Sequence, residues 1–335
     1  MFRTRLVRSI VALIALMLLV GPAAAAQSNR LSIATGGTGG VYYPYGGALA
    51  NVLSEALPDT EVTAEVTSAS VDNMYLIDDH SADLAFVLSD TAYDAAQGNP
   101  PFEEPIDARA LVTLYDNYTQ IVASGDSGIA TVEDLRGKRV SVGSPGSGTE
   151  VIALRILEAA GINPDEDIQR EQLSVAESAN AIKDGKIDAF FWSGGLPTGA
   201  ITDLGATPNV TMKLIPSAEY VDALRESHGA FYNTATIPAD TYPGQTEDVE
   251  VITVPNVLVV HADMDEQLAY DIVKAMFDNK DALVAAHPEA QNLRLETALS
   301  STALEYHPGA LRYFEEQGVT PGMTASPAAA ATPGS

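Results

Sequence analysis

The chain of 335 residues contains no cysteine. That excludes disulfides, zinc–thiolate centres and the lipid-anchored form of an exported protein, whose anchor is built on a cysteine. Positive charge is scarce: 18 Lys and Arg against 45 Asp and Glu give a formal net charge of −27. A surface this acidic repels nucleic acid and anionic lipid, and no basic stripe interrupts it. The histidines, His80, His228, His261, His287 and His307, form no close pair along the chain and no H-E-x-x-H, so no metal site is expected. Phosphate-binding signatures are also missing. Neither glycine-rich loop has the lysine of a P-loop, and the glycines miss G-x-G-x-x-G: counted from Gly37 the third position is Tyr42, and from Gly146 it is Val151. No G-x-S-x-G elbow occurs, and "GDSG" at 125–128 runs into Ile129 where a serine-protease fragment has another glycine.

What is present reads as a globular α/β protein. Hydrophobic residues make up 46% and aromatics 7%, as in folded rather than disordered chains. The length suits two lobes of ordinary domain size. The opening "MFRTRLVRSIVALIALMLLVGPAAAAQ" has Arg3, Arg5 and Arg8, an apolar stretch from Ile10 to Val20 and then Ala24–Ala26. This predicts a signal peptide over 1–26, too short for the ~20 residues of a membrane helix, and hence an extracytoplasmic chain. The end, "TASPAAAATPGS", predicts a disordered tail over 323–335.

Between them, strand and helix patterns alternate. "RLSIAT" reads as a strand, "YYPYGGALANVLSEALP" as a helix with Ala48, Leu49, Val52, Leu53 and Ala56 on one face, and "TEVTAEVT" as a strand. "ARALVTLYDNYTQIVAS" supplies one or two strands, "TVEDLRGKRVSVG" a short helix and a strand, and "DEQLAYDIVKAMFDNKDALVAA" one amphipathic helix. Alternation of this kind predicts a mostly parallel sheet. A second unit starts near Asp126, and the chain is expected to return to the first lobe near Tyr232.

Two loops stand out because they share a pattern of strand, Gly/Ser/Thr loop and helix: "IATGGTGGVYYPYGG" at 33–47 and "SVGSPGSGTE" at 141–150. Backbone N–H groups at a helix start, with the helix dipole, attract anions, and glycine lets a ligand approach the backbone closely. Part of the second loop also fits a capping box, with Ser147 as N-cap and Glu150 three residues on. Together the loops suit a small carboxylate held between two helix N-termini. Trp192, the only tryptophan, ends an apolar strand and fits either core packing or a cleft wall. Tyr42, Tyr43 and Tyr45 either pack at the helix start or present a hydroxyl to the ligand, and Tyr232 suits a hinge as well as a site.

The stretches "IATGGTGGVYYPYGGALANVL", "SASVDN", "RGKRVSVGSPGSGTEVIALRILEAAGI", "GKIDAFFWSGGLPTGAITDL", "TIPADTYPGQTEDV" and "HPGALRYF" occur in order over about residues 30 to 320. Together they resemble the TAXI family of extracytoplasmic solute receptors of tripartite ATP-independent periplasmic (TRAP) transporters. The resemblance implies a two-lobed periplasmic-binding-protein fold (type II, Venus flytrap) with a hinged cleft, divided as 27–121, 122–235 and a return over 236–322. It implies a monomer without cofactor that captures glutamate, glutamine or 2-oxoglutarate and delivers it to a permease driven by an ion gradient. Carried over by motif position, the site comprises Thr35, Gly36, Thr38, Gly39, Tyr42 or Tyr43, Ser70 and Asn73 from the first lobe, and Ser89 and Asp90, which end the next strand, are expected to approach the cleft. The second lobe adds Pro145, Gly146, Ser147, Gly148, Thr149, Trp192, Ser193, Gly194 and Gly195. Asp72 stands where the family has glutamate, and Trp192 where many relatives have a smaller aliphatic residue or another aromatic, which reshapes the cleft. Crossings near Ile121–Asp126 and Tyr232–Ile237 are expected to absorb closure. The rival functions are a receptor feeding a signalling partner and, with less support in the residues, a secreted α/β hydrolase.

Overall fold

The computed structural model describes residues 29–301 and 303–320; the expected signal peptide and C-terminal tail lie outside these residues. The chain begins β1 (Asn29–Ala34), α1 (Tyr42–Ala56), β2 (Thr60–Glu65), α2 (Ser70–Asp78), β3 (Leu84–Leu88), α3 (Ser89–Gln97) and β4 (Ala108–Ser124). It continues with β5 (Arg139–Ser141), α4 (Gly148–Ala159), β6 (Gln169–Glu171), α5 (Val175–Lys183), β7 (Ala189–Gly194), α6 (Gly199–Ala206), β8 (Met212–Ile215) and α7 (Val221–His228). Then come β9 (Asn233–Ile237), β10 (Val249–His261), α8 (Glu266–Asp278), α9 (Lys280–Ala286) and α10 (Pro308–Glu316). Among the described residues no helix is long and apolar enough to cross a membrane.

All ten strands join one sheet, ordered β2-β1-β3-β10-β4-β7-β5-β6, with β8 on β4 and β9 on β10. The flanks are parallel, β1 with β2 and β3, and β5 with β6 and β7. The centre is antiparallel: β10 runs against β3 and β4, and β4 against β7. The sheet is therefore mixed rather than mostly parallel. The apolar runs 108–124 and 249–261 each form one long strand, and nothing in their local pattern distinguishes antiparallel from parallel pairing.

Those two strands connect two hydrophobic cores. Leu111, Leu114 and Tyr115 of β4 pack with Leu49, Phe86 and Leu258, whereas Ile121 and Ala123 pack with Ile152, Phe191 and Val254. On β10, Val249 and Val251 belong with Val122 and Phe190, and Val257 and Val259 with Ala85 and Ala92. Ile237 and Tyr242 also share the core of Val122. The chain thus crosses back along β10, between Val254 and Val257, and not near Tyr232 as expected. Pro255 sits at that crossing beside a register shift in the β4 ladder, the place in a central strand where a residue without an N–H is tolerated.

Two helices differ from expectation. Residues 266–286 form two helices broken at Asn279, whose side chain bonds back to the Ala275 carbonyl at 2.9 Å. The "TVEDL" helix shrinks to a 3₁₀ turn at Glu133–Leu135, with Asp134 accepting from the Ala130 and Thr131 N–H groups. Helix α4 closes with Gly161 in the left-handed region (φ +69°).

A buried ion network joins the two halves of the sheet. Arg155 on α4 donates to Asp90 (3.3 Å) and Asp94 (2.5 Å) on α3 and to the Tyr232 hydroxyl (2.7 Å), which itself donates to Asp90 (2.8 Å). Burial pushes the Asp94 carboxyl up, against the opposing pull of Arg155. Replacing Arg155 by alanine strands two buried carboxyls and is expected to cost about 3–5 kcal/mol in urea denaturation. The triple variant R155M/D90N/D94N, which removes the charges together, is expected to recover most of that loss.

Candidate functional site

The carboxyl ends of β1 and β3 and the loop into α1 face the loops into α4 and α5 and the end of β7. They enclose a cavity of about 340 Å³. Of the expected site residues, Gly36, Thr38, Gly39, Tyr42, Ser70, Ser147, Gly148, Thr149, Trp192, Ser193 and Gly194 line it.

Three helices point their N-termini into this cavity. Val41 and Tyr42 begin α1, Gly148 and Thr149 begin α4, and Val175 and Ala176 begin α5; all six line it. First-turn N–H groups have no acceptor within their own helices, and the dipoles add positive potential at the same point. The side chains that hold these starts in place are committed to the fold. Ser147 Oγ accepts from the Glu150 N–H at 3.1 Å, so the expected cap forms, but Glu150 Oε2 reaches Gly146 N (3.0 Å) instead of closing the box on Ser147. Thr149 Oγ1 accepts from the Ser193 N–H at 3.1 Å. The complete capping box is at α5, where Ser174 and Glu177 bond reciprocally. Its S-x-x-E spacing, "SVAE", is the signal by which α5 is found in the sequence.

The fourth helix start is already occupied. The Val71 and Asp72 N–H groups at the start of α2 both donate to the Gly146 carbonyl at 3.1 Å, so the second loop caps a helix of the first half directly. Gly148 abuts the same place: a Cβ there would lie 2.6 Å from Leu88 Cδ1 and 2.8 Å from Ser70 Oγ. Trp192 forms a wall. Its indole N–H donates to Thr198 Oγ1 (2.9 Å), and its ring lies so close to Gly40 that a Cβ there would meet it at 2.8 Å.

Three buried polar atoms of lining residues have no hydrogen-bond partner among the described residues: Ser193 Oγ, Tyr115 OH and Asn117 Oδ1. Burial pushes the Tyr115 hydroxyl well up, so it stays protonated. Behind them Asn256, at the Pro255 crossing, accepts from Asn117 Nδ2 (3.1 Å) and from the Tyr42 hydroxyl, and donates to the Tyr115 carbonyl (3.1 Å). An asparagine after proline inside an apolar strand, "TVPNVLVV", is the sequence signal for it. Glu177 is the one charged side chain of the lining, and Ser174 occupies its carboxylate while holding its pKa down.

The other expected residues are placed elsewhere. Thr35 donates to the Glu65 carbonyl (2.6 Å), and Asn73 donates to the Thr35 and Phe86 carbonyls (both 2.8 Å), tying β1 to β3. Ser89 pairs with Ser301 (3.0 Å) and Asp90 with Arg155. Tyr43 faces outward, Tyr45 is buried beside Phe86, and the exposed Pro145 and half-buried Gly146 do not line the cavity. Gly195 backs onto Glu289, whose Cγ would be 2.6 Å from an added Cβ. Residues absent from the motif-based set include Tyr115, Asn117, Thr67, Ser68, Ser144 and the start of α5.

The chain belongs to the NMT1-like family, whose model matches residues 33–318. Its fold is the α/β two-lobed fold of type II periplasmic binding proteins. It is similar to PhnD1 from Prochlorococcus marinus, solved with methylphosphonate: TM-score 0.55 and 12% identity over 80% of this chain and 92% of that one. It is also similar to a Streptococcus mutans structure described for glutathione import via GshT and the cystine importer TcyBC. There the TM-score is 0.50 and identity 14%, over 79% of this chain and 96% of that one.

Glu289 joins the halves, accepting from the Leu196 N–H and from Asn292 Nδ2, both at 2.6 Å. Burial raises its pKa. A carboxyl raised in the folded state stabilises the fold below its ordinary pKa, and that contribution is lost as pH rises through the folded value. Urea midpoints measured from about pH 4.3 upward are therefore expected to fall more steeply for the wild type than for E289Q.

Proposed function

We propose that the protein is an extracytoplasmic receptor that captures a small carboxylate of the glutamate, glutamine or 2-oxoglutarate class and hands it to a TRAP permease. One observation carries the reading: three helix N-termini converge on one cavity whose described lining contains neither lysine nor arginine. Backbone donors and hydroxyls take the place of a cationic clamp, and a site shielded from the acidic surface sets its own potential. Ser193 Oγ supplies a further donor to the carboxylate. Asn117 Oδ1, an acceptor, faces an N–H or O–H of the ligand. Methylphosphonate on PhnD1 is also a small anion, consistent with this class of ligand.

The TRAP partner rests on the TAXI resemblance, and the extracytoplasmic location on the leader pattern at 1–26. The function in this reading is binding without turnover. The lobes would rotate about the crossings in β4, between Tyr115 and Ile121, and in β10, between Val254 and Val257. The bonds from Val71 and Asp72 to the Gly146 carbonyl would then form on closure and favour the liganded state.

A thermal-shift panel of L-glutamate, L-glutamine, 2-oxoglutarate, short dicarboxylates, monocarboxylates and neutral amino acids tests the ligand class. A ligand at ~100 times its Kd adds about 2.7 kcal/mol, a shift of several degrees. A shift with a carboxylate is expected, and a flat panel on folded, ligand-free protein would overturn the assignment. In calorimetry with that ligand, S193A is expected to weaken binding about tenfold, the worth of one hydrogen bond to a charged group. Its unliganded melting point is expected to stay unchanged.

A further inference from the structure

His80 and His261, far apart in the chain, meet at the outer end of the first half of the sheet. His80 follows α2 with φ +58°, a left-handed position where glycine or asparagine is the usual occupant. A histidine held there is a local cost of the kind that accompanies function. His261 ends β10 opposite Ala108. The two imidazoles lie with centroids 4.2 Å apart and planes tilted by 54°. Asp263, two residues after His261, places Oδ1 2.6 Å from His261 Nδ1.

One donor atom from each of the three residues lies within 4.8 Å of the other two. In a tetrahedral zinc site, bonds of ~2.0–2.2 Å put donor atoms roughly 3.4 Å apart. Reaching that spacing requires the side chains to draw closer, and His80 and Asp263 are exposed while His261 is half-buried. The formal charge of −27 favours approach of a cation.

We propose that His80, His261 and Asp263 form a surface site for a first-row divalent ion of the Zn²⁺ class. The donor set is two imidazole nitrogens and one carboxylate oxygen, with water completing the coordination. The ion would clip the turn after α2 to the turn after β10. β3 runs from the His80 end toward the cavity-lining Leu88, so this site lies at the opposite end of the strands from the carboxylate site and is independent of it.

The test uses tag-free protein treated with EDTA and desalted, titrated with Zn²⁺ by calorimetry and with Co²⁺ by visible absorption, with no carboxylate ligand added. One equivalent is expected to bind, with a Co²⁺ spectrum showing imidazole coordination and a Zn²⁺-dependent rise in melting temperature. H80A and H261A are each expected to lower the affinity at least tenfold while melting like the wild type in EDTA. D263N, the most conservative change, provides the same readout if a histidine variant fails to fold. Absence of Zn²⁺ binding by the wild type, or equal binding by the variants, would overturn the proposal.

Discussion

The antiparallel ladder between β4 and β10 is the constraint from which the rest of the structure follows. These two long strands run through both cores, and they lie side by side from the pair Ala108–His261 to the pair Tyr118–Thr253. Each half therefore hangs on the same two-stranded spine. The cavity opens beside it, where Tyr115, Asn117 and Asn256 sit. Pro255 breaks the hydrogen-bond ladder at that point without breaking the strand. A register shift falls there, and Asn256 behind the lining holds Tyr42, Asn117 and the Tyr115 carbonyl, so one residue without a donor and one with an amide set the crossing and brace the wall of the site.

Around the spine, the contacts between halves are polar and mostly buried. Arg155 with Asp90, Asp94 and Tyr232 closes one side, and Glu289 with the Leu196 N–H closes another. In a low-dielectric interior such groups are costly when unpartnered, so relative placement of the halves is specified closely. The Gly146 carbonyl on the start of α2 is weaker and lies at the site itself. A ligand therefore works against a geometry that the buried networks have already restricted to a few arrangements.

The absence of basic side chains from the lining is consistent with the chemistry of the chain as a whole. In a chain with so little lysine and arginine, backbone N–H groups at helix starts are the available donors, and glycine, serine and threonine there are the residues that expose them. The cationic residue nearest this logic, Arg155, is consumed by two aspartates. The surface stays acidic while the cavity gathers three positive helix ends.

What the sequence determined by itself is local. The glycine-rich loops, the Ser147 cap, the face of α1 and the Gly161 stop depend on residues within a turn or two of each other, so spacing alone reveals them, and eleven of the expected site residues do line the cavity. Tertiary structure decided everything that depends on distant partners. Thr35, Asn73, Ser89 and Asp90 carry the right groups beside the site, yet each is claimed by a carbonyl, a serine or an arginine that the fold brings to it. Tyr115, Asn117 and Asn256 stand in apolar strands that read as core until the two strands lie side by side. His80 and His261 look solitary for the same reason. Periodicity reports what a segment buries, whereas pairing across a sheet decides which buried polar groups face one another.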